Sequence, residues 1–257
     1  MEGAGEYNVW YMTYIFEEPD HLRTQGKSLE AAEAYQEVAQ TSDDQSIVAA
    51  AWHMSAVCLN QAGQHQESQP LFDRASEIYH SLGDDINLAR VTRDQGTCLL
   101  NQKDYQGAKV LLQKSVTSLE DTNKFGELSM SQAKLAVVLA RLEEVGNSET
   151  LIIQAIENVK KSDNSFYVAT AYGEAGRVYF LNGKPRDMID CLNGALGALD
   201  LEDEPHAKRR AELFQGLSYA YDKTGNQALS KRAGELAEKY LAELDDETAT
   251  RIRNYLK

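Results

Sequence analysis

The chain has 257 residues, 42% of them apolar and 26% charged, with a formal net charge of −14. That length allows one large domain or two small ones around a sizeable buried core, and the composition is that of a globular protein. Such acidity disfavours general nucleic-acid binding, which is driven by neutralising phosphate, and no apolar run approaches the roughly 18 residues that a membrane span needs.

Only four Pro residues occur, and Val, Ile and Thr never cluster in alternating runs, so an all-α chain is expected. The N-terminal "YNVWYMTYIF" is aromatic but lacks the basic flank and small-residue cleavage site of a signal peptide. The "EEPDHLR" that follows carries Pro19 and is expected to interrupt a regular helix. "QGKSLEAAEAYQEVA" then presents Gly26, Ala31, Tyr35 and Val38, the second half of a helix pair.

"WHMSAVCLNQAG" holds Trp52, Ser55, Ala56, Leu59 and Gly63, and the pattern continues through Ser68, Phe72 and Ala75. A large residue beside a small pair one turn on implies that another helix presses in there. The same signature returns four times. "TRDQGTCLLNQKDYQGAKVLLQKS" carries Gly96, Leu99, Ala108, Leu112 and Ser115, and "QAKLAVVLARLEEVGNSETLIIQA" carries Leu135, Ala136, Leu139, Ile152 and Ala155. "YGEAGRVYFLNGKPRDMIDCLNGA" and "FQGLSYAYDKTGNQALSKRAGELA" repeat it with Tyr172, Gly176, Leu192 and Ala195, then Phe214, Leu217, Ser218 and Ala237. The turns fall at Gly26, Gly63, Lys103, Glu143, Gly183 and Gly225, spaced by 37, 40, 40, 40 and 42 residues. Each copy reads as two antiparallel helices joined at a left-handed residue, with Gly234 standing where the sixth copy should have a large side chain.

The order of a large residue, a small pair, a turn Gly and then Ala–large–Ala resembles the tetratricopeptide repeat family over roughly residues 10 to 244. The unit of about 40 residues is longer than the family's usual 34. It is similar to the units of kinesin light chains, of the GoLoco-type spindle adaptors and of the Rap and MalT-type regulators, most visibly at "ASEIYHSLGDD". The resemblance implies an all-α, right-handed superhelical solenoid of about six antiparallel helix pairs, forming one domain over residues 1–257. The units would run over 10–41, 49–82, 89–122, 129–162, 169–202 and 211–244, with a capping helix at 245–257. It also implies a concave groove lined by the first helices. Periodicity assigns His53, Met54, Asn60, Arg90, Arg93, Asn101, Met130, Lys134, Arg141, Arg177, Phe180 and Tyr219 to that lining. In the three central units, five cations (Arg90, Arg93, Lys134, Arg141, Arg177) face two acids (Asp94, Glu174), reversing the sign of the whole chain. Ala133, Ala140 and Gly173 are expected to leave room beside them for a ligand backbone.

Chemistry-bearing constellations are missing. The five His residues show no metal-ligand spacing, "EAGRVYFLNGK" and "YDKTGNQ" lack the strand-to-helix context of a phosphate loop, and no Ser, Cys or Lys carries a nucleophile signature. The acids of "SLGDD" and "DLEDEP" suit caps of following helices. Cys58, Cys98 and Cys191 read as buried thiols of a reducing compartment, and the chain as cytoplasmic. The expectation is a protein without enzymatic activity, metal or cofactor, a scaffold or adaptor that binds a protein or peptide segment, acidic in character, in its groove. The alternatives are a ligand- or peptide-responsive regulator of the Rap/MalT type, or a fragment of one, and an adaptor like the soluble attachment proteins of membrane fusion.

Overall fold

In the computed structural model of the chain the described residues are 15–201 and 206–254, the Glu247 side chain excepted. The readings made above on residues 7–14, on 202–205 within "DLEDEP" and on 255–257 lie outside them. The described residues are all-α, with no strand. Thirteen helical segments follow in chain order. The first, α1, covers residues 15–24 as far as it is described. Next come α2 (Ser28–Thr41), α3 (Gln45–Gln61), α4 (His65–Leu82), α5 (Asp85–Asn101), α6 (Tyr105–Glu120) and α7 (Phe125–Arg141). The rest are α8 (Val145–Val159), α9 (Ser165–Leu181), α10 (Pro185–Leu199), α11 (Ala207–Lys223), α12 (Gln227–Leu241) and α13 (Asp246–Asn254). Pro19 does not interrupt α1, which runs helically through it.

The six turn positions read from the repeat all adopt left-handed backbone: Gly26, Gly63, Gly183 and Gly225 with φ of 68° to 83°, Lys103 at 65° and Glu143 at 62°. The hydrogen bonds explain why. Gln64 N–H reaches back to the Leu59 carbonyl at 2.9 Å and Glu144 N–H to the Leu139 carbonyl at 2.9 Å, the six-to-one bond that a left-handed residue brings within reach. Lys103 and Glu143 adopt the same turn at the cost of a Cβ in a region that favours glycine.

The first helices α3, α5, α7 and α9 begin at Gln45, Asp85, Phe125 and Ser165, and each runs for 17 residues. Asp44, Asp84 and Asn164 cap three of them by accepting from the backbone N–H of Ser46, Asn87 and Tyr167.

The chain divides into two compact units, Met1–Lys103 and Asp104–Lys257. In the first, α3 packs on α2 and α4 around Tyr35, Trp52, Phe72, Ala75 and Tyr79. The Ser55 hydroxyl, fully buried, donates to the Ala32 carbonyl at 2.9 Å, while Ala56 has no exposed surface. The small pair thus lets α2 approach, and Trp52 fills the space beside it, as the repeat implied. In the second unit α7 packs against α8 and α9, and α9 against α10, with α11 on α10 and α12. Leu192 of α10 reaches between α9 and α11, where a Cβ on Gly176 or Gly216 would stand 2.6 or 2.8 Å from its methyls. Ser218 and Ser230 each donate to the other's carbonyl at 2.9 Å, a pair of hydrogen bonds between α11 and α12, and a Cβ on Gly234 would stand 3.4 Å from the Ser218 hydroxyl, in ordinary contact. Ala249 and Ile252 bury the inner side of α13 with Leu241 and Ala211.

Candidate functional site

In the first unit the candidate residues are drawn into bonds among themselves. His53 on α3 is buried, and its Nε2–H donates to Asp94 Oδ2 on α5 at 2.9 Å. Arg93, also buried, grips the same carboxylate with two N–H groups, at 3.0 Å to Oδ1 and 3.2 Å to Oδ2. Burial works against the charge on Asp94, but Arg93 and His53 outweigh it and hold the carboxyl well below the usual carboxylate range. Lower on the same helices, Asn101 donates to Asn60 at 3.2 Å, and Asn60 is also bonded to the His65 ring. Arg90 donates to Asn87, itself bonded to the capping Asp84. Met54 lies half-buried against the core cluster. His53 and Asn60 on α3 are therefore bonded to Asp94 and Asn101 on α5, with Arg93 fixing Asp94.

The second unit differs. On the face carried by α7, α9 and α11, Lys134 Nζ lies 2.5 Å from Glu174 Oε1, and Arg177 Nη1 lies 3.8 Å from Glu174 Oε2. Burial pushes the Glu174 carboxyl up, yet Lys134 and Arg177 beside it outweigh this and hold it below its ordinary value. Arg209, from the first turn of α11, adds a third cation to the field of Glu174. Its guanidinium donates to the Thr170 hydroxyl and stacks over the half-exposed Phe166 ring at 5.0 Å. Glu212 is the second carboxylate close to Arg209. Arg141 stands two turns beyond Lys134 on α7, half-buried, and among the described residues has no carboxylate within ion-pair distance. At the far end of α9, Phe180 meets Tyr219 edge to face at 5.1 Å, and Lys223 sits over the Tyr219 ring at 5.3 Å. Met130 is half-buried on α7.

Two expectations change. Ala133 and Ala140 do not leave room for a ligand: both are buried by protein, because α7 is packed from α8 and α9 and small side chains there let helices approach. Gly173 alone of the three keeps open space, a Cβ there meeting only a Leu213 methyl at 3.9 Å. Phe166, Thr170 and Arg209 were not in the sequence reading. Phe166 and Thr170 lie in the first two turns of α9 and Arg209 in the first turn of α11, ahead of the repeat positions from which the groove was read.

Other chemistry finds little to stand on. Among the described residues no group of three or more His, Cys, Asp or Glu could hold a metal ion. No described helix is long and apolar enough to cross a membrane. Cys58, Cys98 and Cys191 are free and buried, and burial pushes the Cys58 and Cys191 thiols up to about 12, far from the thiolate a nucleophile needs.

No curated protein matches the sequence. Among solved structures, BtubC (BKLC) from P. vanneervenii is similar at 16% identity, with a TM-score of 0.62 over 86% of this chain and 90% of that one. A putative kinesin light chain from Podosopora anserina with nearly identical TPR-like repeats gives 19% identity and a TM-score of 0.55, covering 79% of this chain and 98% of its own. The apo form of RapI gives 15% and 0.57 over 91% and 98%. At these identities the likeness is one of fold. The tetratricopeptide repeat model matches residues 47–121, which run from α3 through α6. Residues 47–121 thus resemble the tetratricopeptide repeat in sequence, and the same left-handed turn between paired helices recurs in both units.

Proposed function

We propose that this chain is a non-enzymatic protein-interaction scaffold that binds an acidic peptide segment on the α7–α9–α11 face of its second unit. The observation that carries the reading is the sign of that face. Lys134, Arg141, Arg177 and Arg209 stand there against Glu174 and Glu212 in a chain of net charge −14. Arginine can take a carboxylate through two parallel hydrogen bonds, and Phe180, Tyr219 and Phe166 offer aromatic surface between the charged points. Arg90 and Arg93 are left out of the binding set, because their guanidinium groups already bond to Asn87 and Asp94 on their own helix.

The test is a pull-down from native lysate with wild type and with Arg141→Glu/Arg177→Glu. Circular dichroism establishes that both chains are folded. The reading expects one partner recovered by wild type and lost by the variant, with affinity falling as salt rises. A partner held equally by both chains at all ionic strengths would place the ligand elsewhere.

A further inference from the structure

Glu174 occupies an unusual position for a residue on a face that is to receive acidic ligands. Its side chain lies at the boundary with water, 15% exposed, and its Oε1 takes the Lys134 ammonium at 2.5 Å. Its Oε2 is closed off from solvent and accepts no hydrogen bond among the described residues, with Arg177 Nη1 3.8 Å away. A carboxylate has room for about four hydrogen bonds. Glu174 is therefore held by charge, with one strong hydrogen bond and an unfilled second oxygen.

We infer that Glu174 is an internal stand-in for the ligand's carboxylate: it holds Lys134 and Arg177 ready on the face and sets the affinity by competing for them. This rests on the acidic-peptide reading above and adds to it the residue that tunes it. An incoming Asp or Glu finds its two cations already placed, with Gly173 next to Glu174 leaving open space above α9. It must displace Glu174 from Lys134. That exchange swaps one carboxylate for another, so binding costs no new desolvation of the cations but gains only the difference between two similar contacts. The face thus selects ligands with several acidic residues, which engage Arg141 and Arg209 as well, over those with one.

The experiment measures binding of a decaglutamate peptide to wild type, Glu174→Gln and Glu174→Gln/Lys134→Met, by titration calorimetry at low salt. Gln keeps the shape of Glu174 and removes its charge. Thermal melts and circular dichroism report that each variant is folded. The expected result is binding to Glu174→Gln about tenfold tighter than to wild type, the equivalent of about 1.4 kcal/mol, with the gain lost in the double variant. Equal binding by wild type and Glu174→Gln would overturn the competitor role and leave the acidic-peptide reading standing. Weaker binding by Glu174→Gln would do the same, by making Glu174 a residue that only orders its cations. If no chain binds the peptide, the acidic-peptide reading fails, and the competitor role with it.

Discussion

Ser55 donates its buried hydroxyl to the Ala32 carbonyl at 2.9 Å, so that the first helix of one repeat lies directly on the second helix of the repeat before it. A larger side chain has nowhere to go. Ser55→Leu is expected to destabilise the first unit by about 1–3 kcal/mol, the usual range for overpacking a core. Ser55→Ala removes one hydrogen bond and is expected to cost only about 0.5–1.5 kcal/mol. Urea unfolding of both variants checks the order, and a milder effect of Leu than of Ala would contradict the close approach.

Trp52 is 9% exposed, with the Arg74 guanidinium 4.9 Å above its ring. Trp52→Ala leaves a cavity that α2 and α4 cannot close, and a loss of about 3–5 kcal/mol is expected. The native emission of this residue, separated from Trp10 by substituting the latter, is expected at the blue end of the tryptophan range. Emission at the wavelength of free tryptophan would place the ring in water.

Asp94 links the stability of the first unit to pH. Its carboxyl is held below its unfolded value of about 3.9, so the unfolded chain takes up a proton there before the folded one does. The stabilisation is therefore fully present above about pH 4 to 5 and is lost as pH falls through the folded value. Asp94→Asn is expected to cost about 1.5–3 kcal/mol at pH 7, the range for hydrogen bonds to a charged group. The gap between wild type and variant should narrow below pH 4, measured by urea unfolding at pH 7 and pH 3. A gap that stays constant across that interval would show that the carboxylate charge contributes nothing.

Glu143 carries a left-handed backbone, φ 62°, at the turn where Gly63 sits at 83° in the first unit. Exchanging the residues has opposite effects. Glu143→Gly relieves the Cβ and is expected to stabilise by up to about 1 kcal/mol, while Gly63→Ala introduces the same strain and costs about 1–2 kcal/mol. No neighbour lies within 4 Å of a Cβ at Gly63, so the cost there is conformational and not steric crowding. Denaturation midpoints of the two variants moving in the same direction would contradict this.

The sequence by itself determined the repeat. The large–small order at Trp52, Ser55 and Ala56 recurs at a fixed interval because each helix pair must bury the same stripe against a neighbour, and a local pattern suffices to encode that. The turn positions were legible for the same reason. Even Lys103 and Glu143, without glycine's freedom, take the left-handed turn their place in the period demands. Helix starts were less legible, since they depend on local caps, present as Asn164 before Ser165 but absent before Phe125, and on the neighbours that bury the first turn. What only the tertiary structure decided is which charges are available. Arg93 and Lys134 stand at neighbouring positions of successive repeats, Lys134 being the counterpart of Asp94. Yet Arg93 closes on the adjacent Asp94, which His53 also holds, inside the first unit, whereas Lys134 meets Glu174 at the water boundary of the second. The difference arises between helices forty residues apart in the chain. An ion pair is set by the distance and burial of two side chains, and the period that places their helices says nothing of which partner each will find.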